Sequence, residues 1–130
     1  MSLTVFVARF FSVSILVVGV SHLLQPRLWR DFFILLKGTG VAGIIIAMYT
    51  FPLGLLIILC HNVWVWDAPV IITISGWGMT IKSLLYAFVP RMAERAIPDE
   101  ANAYRKYALG GAFIIPVSLL LIYYSFFRAG

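Results

Sequence analysis

Residues 32–49 read FFILLKGTGVAGIIIAMY, an apolar run interrupted by the pattern Gly38-Thr-Gly40-Val-Ala-Gly43. This pattern matches the G-x-G-x-x-G of a dinucleotide-binding turn. Such a turn needs a strand before it, an amphipathic helix after it and an acidic residue about 20 positions later. Here the residues after Gly43 are apolar on every side, and no Asp or Glu follows until Asp67. The stretch instead predicts a surface helix that turns into a membrane span, and we expect no dinucleotide.

The whole chain has the composition of a membrane protein. Of its 130 residues, 62% are hydrophobic and 12% are charged, and the mean hydropathy is +1.00. Soluble domains carry about 25% charged residues because water must wet their surface. The single cysteine, Cys60, excludes an internal disulfide and a cysteine-based metal cage. The net charge of +5 is spread along the chain, so we interpret it as topology information and expect no nucleic acid.

Four segments contain the roughly 20 apolar residues that a helix needs to cross the bilayer core. They cover about residues 4–24, 38–60, 69–89 and 108–127. The first segment contains Arg9 and lacks a small-x-small cleavage site, so we read it as a span and not as a signal peptide. The prediction is a single all-α membrane domain over residues 1–130, a polytopic bundle of four transmembrane helices.

A short interfacial helix is predicted between the first two spans, over residues 27–37. On a helical wheel its charged side chains share one side and its large apolar side chains occupy the other, which is typical of a helix lying in the membrane surface. The alternative is a longer, tilted span that begins near Phe32. That span would place Lys37 in the core at a cost of about 2.5–3.5 kcal/mol, so we rank it second.

A second interfacial helix is predicted over residues 98–107. Pro98 fits its first turn, and Arg105 and Lys106 fall at its end, where basic side chains oppose the helix dipole. We expect this helix to continue into the fourth span through a soft joint at Gly110 and Gly111.

The distribution of Lys and Arg predicts an orientation. The loops 25–37 and 90–107 carry most of the basic residues, whereas the middle loop NVWVWDA carries none. By the positive-inside rule, both basic loops are expected in the cytoplasm and both termini outside. The basic residues of the two loops are Arg27, Arg30, Lys37, Arg91, Arg95, Arg105 and Lys106.

Small residues in the second span predict a helix-packing stripe. Thr39, Gly43 and Ala47 recur every four residues, and Gly54 lies further along. Small side chains at that spacing let helix backbones approach closely in lipid. The stripe could face another span of this chain or a second chain.

Lys82 is the most costly residue in any span, since it lies well inside the third and no span contains a carboxylate. A lysine near mid-membrane costs roughly 3 kcal/mol unless it reaches the interface or a partner. Ser75, Gly78 and Tyr86 share its helix face. Two interpretations remain open. Lys82 either stretches to the cytoplasmic surface, or it is a buried cation that lines a cavity, binds an anionic lipid or ligand, or pairs with an acidic residue of a partner protein.

A second candidate site is a polar cluster at the outer surface, formed by Arg9, His61, Asn62 and Asp67. A haem or metal shared by the two histidines is not expected. His22 and His61 end neighbouring spans at opposite faces of the membrane, roughly 25 Å or more apart. We therefore predict no metal and no cofactor.

Motifs of hydrolytic and redox enzymes are missing from the sequence: there is no G-x-S-x-G, H-E-x-x-H or C-x-x-C. The blocks SHLLQPRLW (21–29) and HNVWVWDAPVIITISGWGMTIKSLLYAFVP (61–90) resemble small four-helix bacterial integral membrane proteins of unassigned function. This resemblance implies a membrane architecture and a bacterial cytoplasmic membrane, and it implies no catalytic residue.

Three functions are compatible with these features. The leading hypothesis is a non-enzymatic accessory or assembly subunit that contacts membrane lipid and either other membrane subunits or a second copy of itself. The first alternative is a homo-oligomeric channel or carrier for a small anionic solute, with Lys82 as the selecting residue. The second alternative is a membrane enzyme acting on lipid head groups.

Overall fold

The computed structural model describes residues 1–98 and 103–129 and confirms the predicted all-α membrane fold. Four helices are long and apolar enough to cross a bilayer, and no strand occurs in the two described ranges. The elements are α1 Leu3–Leu24, α2 Pro26–Gly38, α3 Ala42–Cys60, α4 Pro69–Phe88, α5 Arg91–Ala96 and α6 Tyr104–Tyr123, which a π-helical turn extends over Tyr124–Arg128.

Prolines and a serine cap set several of the helix boundaries. The Ser2 side chain accepts a hydrogen bond from the Val5 amide and caps α1. Pro26 and Pro69 occupy the first turns of α2 and α4, where the missing N–H of proline costs nothing. α1 ends before Pro26, because proline disfavours a helical residue ahead of it.

Residues 38–41, which the sequence placed at the start of the second span, lie outside α3: Gly38 ends α2, and residues 39–41 form a turn. α2 continues through Gly38, and α3 begins at Ala42. The Thr39 hydroxyl donates to the Leu36 carbonyl oxygen at 2.6 Å and accepts from the Val41 amide at 3.2 Å. Thr39 is therefore a turn residue and does not belong to a packing stripe on α3. Gly40, with φ of 75°, supplies the left-handed conformation that closes the turn.

The loop between α4 and α6 also differs from the prediction. A short helix, α5, occupies Arg91–Ala96, where the sequence pattern predicted no helix. Part of the helix predicted over 98–107 lies outside the described residues, and its last residues are the first turn of α6. α6 continues without a break through Gly110 and Gly111, so the predicted joint is absent from this helix.

The four long helices form two antiparallel pairs, α1 with α6 and α3 with α4. We call both pairs hairpins, although only α3 and α4 are neighbours among the long helices. Glycines bring the backbones together in both. A Cβ added at Gly111 would lie 2.5 Å from the Gly19 carbonyl oxygen. A Cβ added at Gly54 would lie 2.8 Å from the Thr80 amide nitrogen. Such close approach lets van der Waals contact hold helices together in lipid, where the hydrophobic effect does not.

Two small apolar clusters lie at opposite ends of the bundle; the first joins the two hairpins, and the second joins α2, α3 and the residue after α5. Val7, Ile57, Ile72 and Leu121 meet near the chain termini, and Leu36, Ala42 and Ile97 meet beside α2. We call the end that carries α2 and α5 the basic end, because the seven basic residues of the two loops lie there. The other end, which carries both termini, is called the opposite end.

Candidate functional site

A groove lies between α4 and α6, because these two helices make no extended contact. On α4 it is lined by Ser75 and Gly78, and one turn further on by Lys82 and Tyr86. Residues spaced three or four apart share one face of a helix. The structure thus places the four predicted residues on one face of α4, where Ser75 and Gly78 line one pocket and Lys82 and Tyr86 line a second.

The central part of the groove is an apolar cavity of about 670 Å³. It extends on α1 from Val7 to Val18, which is about 16 Å along the helix axis. Phe10 and Phe113 line it and are 51% and 73% exposed, so the cavity is open to the side. In a bilayer this opening faces acyl chains. The lining residues are Val7, Phe10, Phe11, Ser14, Ile15, Val18, Leu53, Leu56, Ile57, Ile71, Ser75, Gly78, Met79, Phe113, Ile114 and Val117.

The polar side-chain groups that line this cavity are two hydroxyls, and each donates a hydrogen bond to a carbonyl oxygen of its own helix. Ser14 donates to the Phe10 carbonyl oxygen and Ser75 to the Ile71 carbonyl oxygen, each at 2.7 Å. A serine bonded in this way offers little to a hydrated ion. The cavity is therefore suited to an apolar occupant.

Two glycines, Gly78 at the cavity and Gly110 on the facing helix, leave open space on the walls of the groove. A Cβ added at Gly78 on α4 or at Gly110 on α6 would meet no atom within 4 Å. Gly110 lies on the face of α6 that carries Lys106 toward one end and Phe113 toward the other. Both helix walls thus lack side chains at this level of the groove.

The groove ends at a second, basic pocket of about 290 Å³. Lys82 and Lys106 both line it, and the Lys82 ammonium lies 5.5 Å from the centre of the Tyr86 ring. The remaining lining residues are Phe33, Ile46, Tyr86, Ala93, Ala96, Ile97, Pro98 and Tyr107. None of these described residues is a carboxylate, histidine, serine or cysteine, so the pocket offers cationic and phenolic donors. Lys82 is exposed and not buried, and it also lines this pocket, so the structure is compatible both with a lysine that reaches the surface and with one that lines a cavity.

Aromatic stacking fixes the wall of the basic pocket. The Phe33 and Tyr107 rings stack with centroids 5.5 Å apart and planes 4° apart. Beside them the rings of His22 and Trp29 stack at 4.1 Å, and Trp29 donates its indole N–H to Ser21 at 2.9 Å. These contacts hold α2 against α1 and α6 and keep Tyr107 at the pocket.

Among the described residues, no hydrogen bond or ion pair joins the four members of the predicted polar cluster to one another, and each has another partner. Arg9 donates from Nε to the Ser125 carbonyl oxygen at 3.0 Å, and its guanidinium lies over the Phe126 ring. Asn62 accepts from the indole N–H groups of Trp64 at 2.7 Å and Trp77 at 3.3 Å.

The other two members of that predicted cluster, His61 and Asp67, also have partners outside the cluster. His61 is 1% exposed, its Nδ1 lies 3.3 Å from the Thr73 hydroxyl, and burial lowers its pKa. Asp67 accepts from the Ala68 amide at 2.7 Å and pairs with Arg128 at 3.0 Å. The Ala68 hydrogen bond, followed by Arg128, lowers the pKa of this carboxyl.

The small residues predicted on α3 face α4. A Cβ added at Gly43 would lie 2.7 Å from the Tyr86 carbonyl oxygen, Ala47 is buried, and Gly54 meets Thr80. The sequence reading missed the matching residues Gly19 and Gly111 of the other hairpin. Its only available signal was a glycine in each of two apolar spans, which does not reveal that the first span pairs with the last.

No family model, curated protein or solved structure matches the chain. Over residues 1–98 and 103–129, no group of three or more His, Cys, Asp or Glu side chains could hold a metal ion. The site must therefore be interpreted from its own geometry.

Proposed function

We propose that this protein is a non-enzymatic accessory membrane protein, and that it acts by holding an acyl chain of a membrane lipid between α4 and α6. The observation that carries the proposal is the apolar cavity of about 670 Å³, which opens sideways at membrane depth. Ligand cavities of about 300–1,000 Å³ with mostly apolar walls are typical of small-molecule sites.

The cavity volume favours a lipid chain over a helix of a partner subunit. If a methylene group takes about the 30 Å³ of a water molecule, an 18-carbon chain fills about 540 Å³. A membrane-spanning helix about 30 Å long and 10 Å wide fills more than about 2,000 Å³. The cavity volume of about 670 Å³ therefore accommodates an acyl chain but not a membrane-spanning helix.

The two alternative functions receive less support. A channel for anions needs a hydrated path, whereas the hydroxyls of Ser14 and Ser75 are already bonded within their helices and the other walls are apolar. An enzyme acting on lipid head groups needs an acid, base or nucleophile at the head-group level. The described residues of the basic pocket supply Lys and Tyr there, without a carboxylate or histidine in the described lining to activate them.

The proposal includes an orientation in the membrane. The excess of Lys and Arg supports a cytoplasmic basic end, with both termini on the other side of a bacterial cytoplasmic membrane. Reporter fusions at the two termini and in the loop after α3 test this. Activity of a cytoplasm-specific reporter at either terminus would contradict the orientation.

Acyl-chain binding is tested with a phosphatidylcholine that carries a photoreactive diazirine near the middle of one chain. After illumination in detergent micelles, peptide mapping is expected to find label on α4 around Ser75–Met79 and on α6 around Gly110–Val117. The double variant Gly78→Leu/Gly110→Leu fills the groove with side chains and should lower this labelling at least tenfold. Because an added Cβ at either glycine meets no atom within 4 Å, the variant should keep its fold.

Ala112→Leu is the matched control, since it adds the same side chain to an exposed position on another face of α6. It should leave the labelling unchanged. Equal labelling of wild type and the double variant would refute the proposal. So would a co-purifying polypeptide that crosslinks to residues 78 and 110 in place of lipid, because the groove would then be a subunit interface.

A further inference from the structure

We infer that the lipid held in the groove is anionic, and that its phosphate lies in the basic pocket against Lys82. This inference rests on the proposed function, because it requires the acyl chain in the neighbouring cavity. It adds the head-group class, which the cavity alone does not specify.

The two pockets are placed as the two parts of an amphiphile require. Gly78 lines the apolar cavity, and Lys82 lines the basic pocket one helical turn away, about 6 Å along α4. On α6, Lys106 lines the basic pocket and Phe113 the cavity. Gly78 and Gly110 leave open space on the walls of the groove. The cavity and the basic pocket therefore follow one another along the same faces of α4 and α6, at a spacing that suits an acyl chain and its head group.

The charge at this end of the groove selects for an anion. The side chain of Lys82 is exposed, and in the described parts of the chain no carboxylate makes an ion pair with it. Its ammonium group lies over the face of the Tyr86 ring, 5.5 Å from the ring centre. A lysine inside a membrane span is costly without an opposite charge. Basic pockets between transmembrane helices bind the phosphates of anionic lipids.

The pocket also has donors for the individual phosphate oxygens. An ammonium group carries three N–H donors, and a phenol carries one O–H donor. Lys82, Lys106, Tyr86 and Tyr107 line the pocket together. Hydrogen bonds from ammonium to phosphate are charge-assisted and are about twice as strong as neutral ones. A zwitterionic lipid would bring a choline group that finds no described carboxylate in the pocket lining.

The test is a competition experiment in which unlabelled lipids reduce labelling by the photoreactive phosphatidylcholine. The two competitors are phosphatidylglycerol and phosphatidylcholine with the same acyl chains. Wild-type protein should prefer phosphatidylglycerol by about fivefold or more, as expected for one lysine near a lipid phosphate. Lys82→Met should reduce the preference to about one, while the label remains on α4 and α6. Lys82→Arg should restore it.

Arg95→Met is the control for net charge, because Arg95 is an exposed residue of the basic end that does not line the pocket. It should keep the preference within about twofold. If label appears in the groove but both lipids compete equally in wild type, the head-group inference is wrong and the proposed function stands. If no label appears, the proposed function itself fails. Displacement of phosphatidylglycerol by inorganic phosphate alone at equal concentration would show a site for the free anion, which also overturns the inference.

Discussion

The hairpin interfaces and the α4–α6 groove use the same residue type for opposite purposes. In the hairpins, Gly54 and Gly111 let backbones touch, so that an added Cβ would collide with main-chain atoms of the neighbouring helix. In the groove, Gly78 and Gly110 face open space. A glycine on a membrane helix thus marks either a tight contact or a gap, and sequence alone does not distinguish them.

Gly110 and Gly111 show the difference most directly, since they are neighbours on α6. A step of one residue turns the helix by about 100°, which moves the position from the groove to the α1 interface. Gly111 is buried, and its added Cβ would lie 2.8 Å from the Leu23 amide nitrogen and 2.9 Å from the His22 Cβ. The helices of each hairpin are therefore closely packed, and the space for a ligand lies between the hairpins.

The largest expected effect comes from placing a side chain in a hairpin interface. Gly111→Val should lower the free energy of unfolding by about 1–3 kcal/mol, because overpacking forces the α1 and α6 backbones apart. Reversible unfolding in mixed micelles of dodecyl sulfate and a mild detergent measures this change.

Gly110→Val is the control one residue away. It should alter the free energy of unfolding by no more than about 0.5 kcal/mol, as is usual for an unpacked surface position. Equal destabilisation by the two substitutions would remove the distinction between hairpin and groove. A neutral Gly111→Val together with a damaging Gly110→Val would reverse it.

The fold was largely predictable because it depends on local composition. Bilayer-length apolar segments predicted the four long helices, and the amphipathic pattern predicted α2. The face of α4 that carries Ser75, Gly78, Lys82 and Tyr86 also followed from helix periodicity. Each of these features depends only on residues within one segment.

Features that depend on contacts between segments were not predictable in the same way. α1 pairs with α6 and not with its sequence neighbour. This pairing determines which glycines lie at a close backbone contact. The cavity exists because α4 and α6 stay apart, which no single segment encodes. Arg9 and Asp67 were expected to meet, but Arg9 bonds to the Ser125 carbonyl and Asp67 to Arg128, and both partners come from the far end of the chain.

A smaller, pH-dependent effect should come from His61, which lies within the α3–α4 hairpin. Burial lowers its pKa below the ordinary value of 6.5, because the buried site favours the neutral imidazole over the charged form. Above that pH the ring is neutral in both states. As the pH falls below about 6.5, the unfolded chain takes up a proton that the folded chain resists, and stability declines until the folded pKa is passed. Unfolding measured from pH 8 to pH 5 should show this decline.

His61→Gln should flatten the dependence in that pH range, while Asn62→Gln, its non-titrating neighbour, should keep it. A decline of the same slope in His61→Gln would assign the titration to another group. A rise in wild-type stability below pH 6.5 would contradict a lowered pKa.

The smallest effect is expected at the Asp67–Arg128 ion pair, which links the α3–α4 loop to the end of α6. Both side chains are substantially exposed, so solvent and salt weaken their attraction. The lowered pKa of Asp67 means that its contribution is present at neutral pH and is lost as the pH falls through the carboxyl pKa. Asp67→Asn retains an acceptor for the Ala68 amide and should unfold almost like wild type at neutral pH and 0.5 M salt. A large loss in the free energy of unfolding under those conditions would show that this ion pair holds the two hairpins together. The groove would then depend on a contact at the ends of the helices and not only on how each hairpin packs.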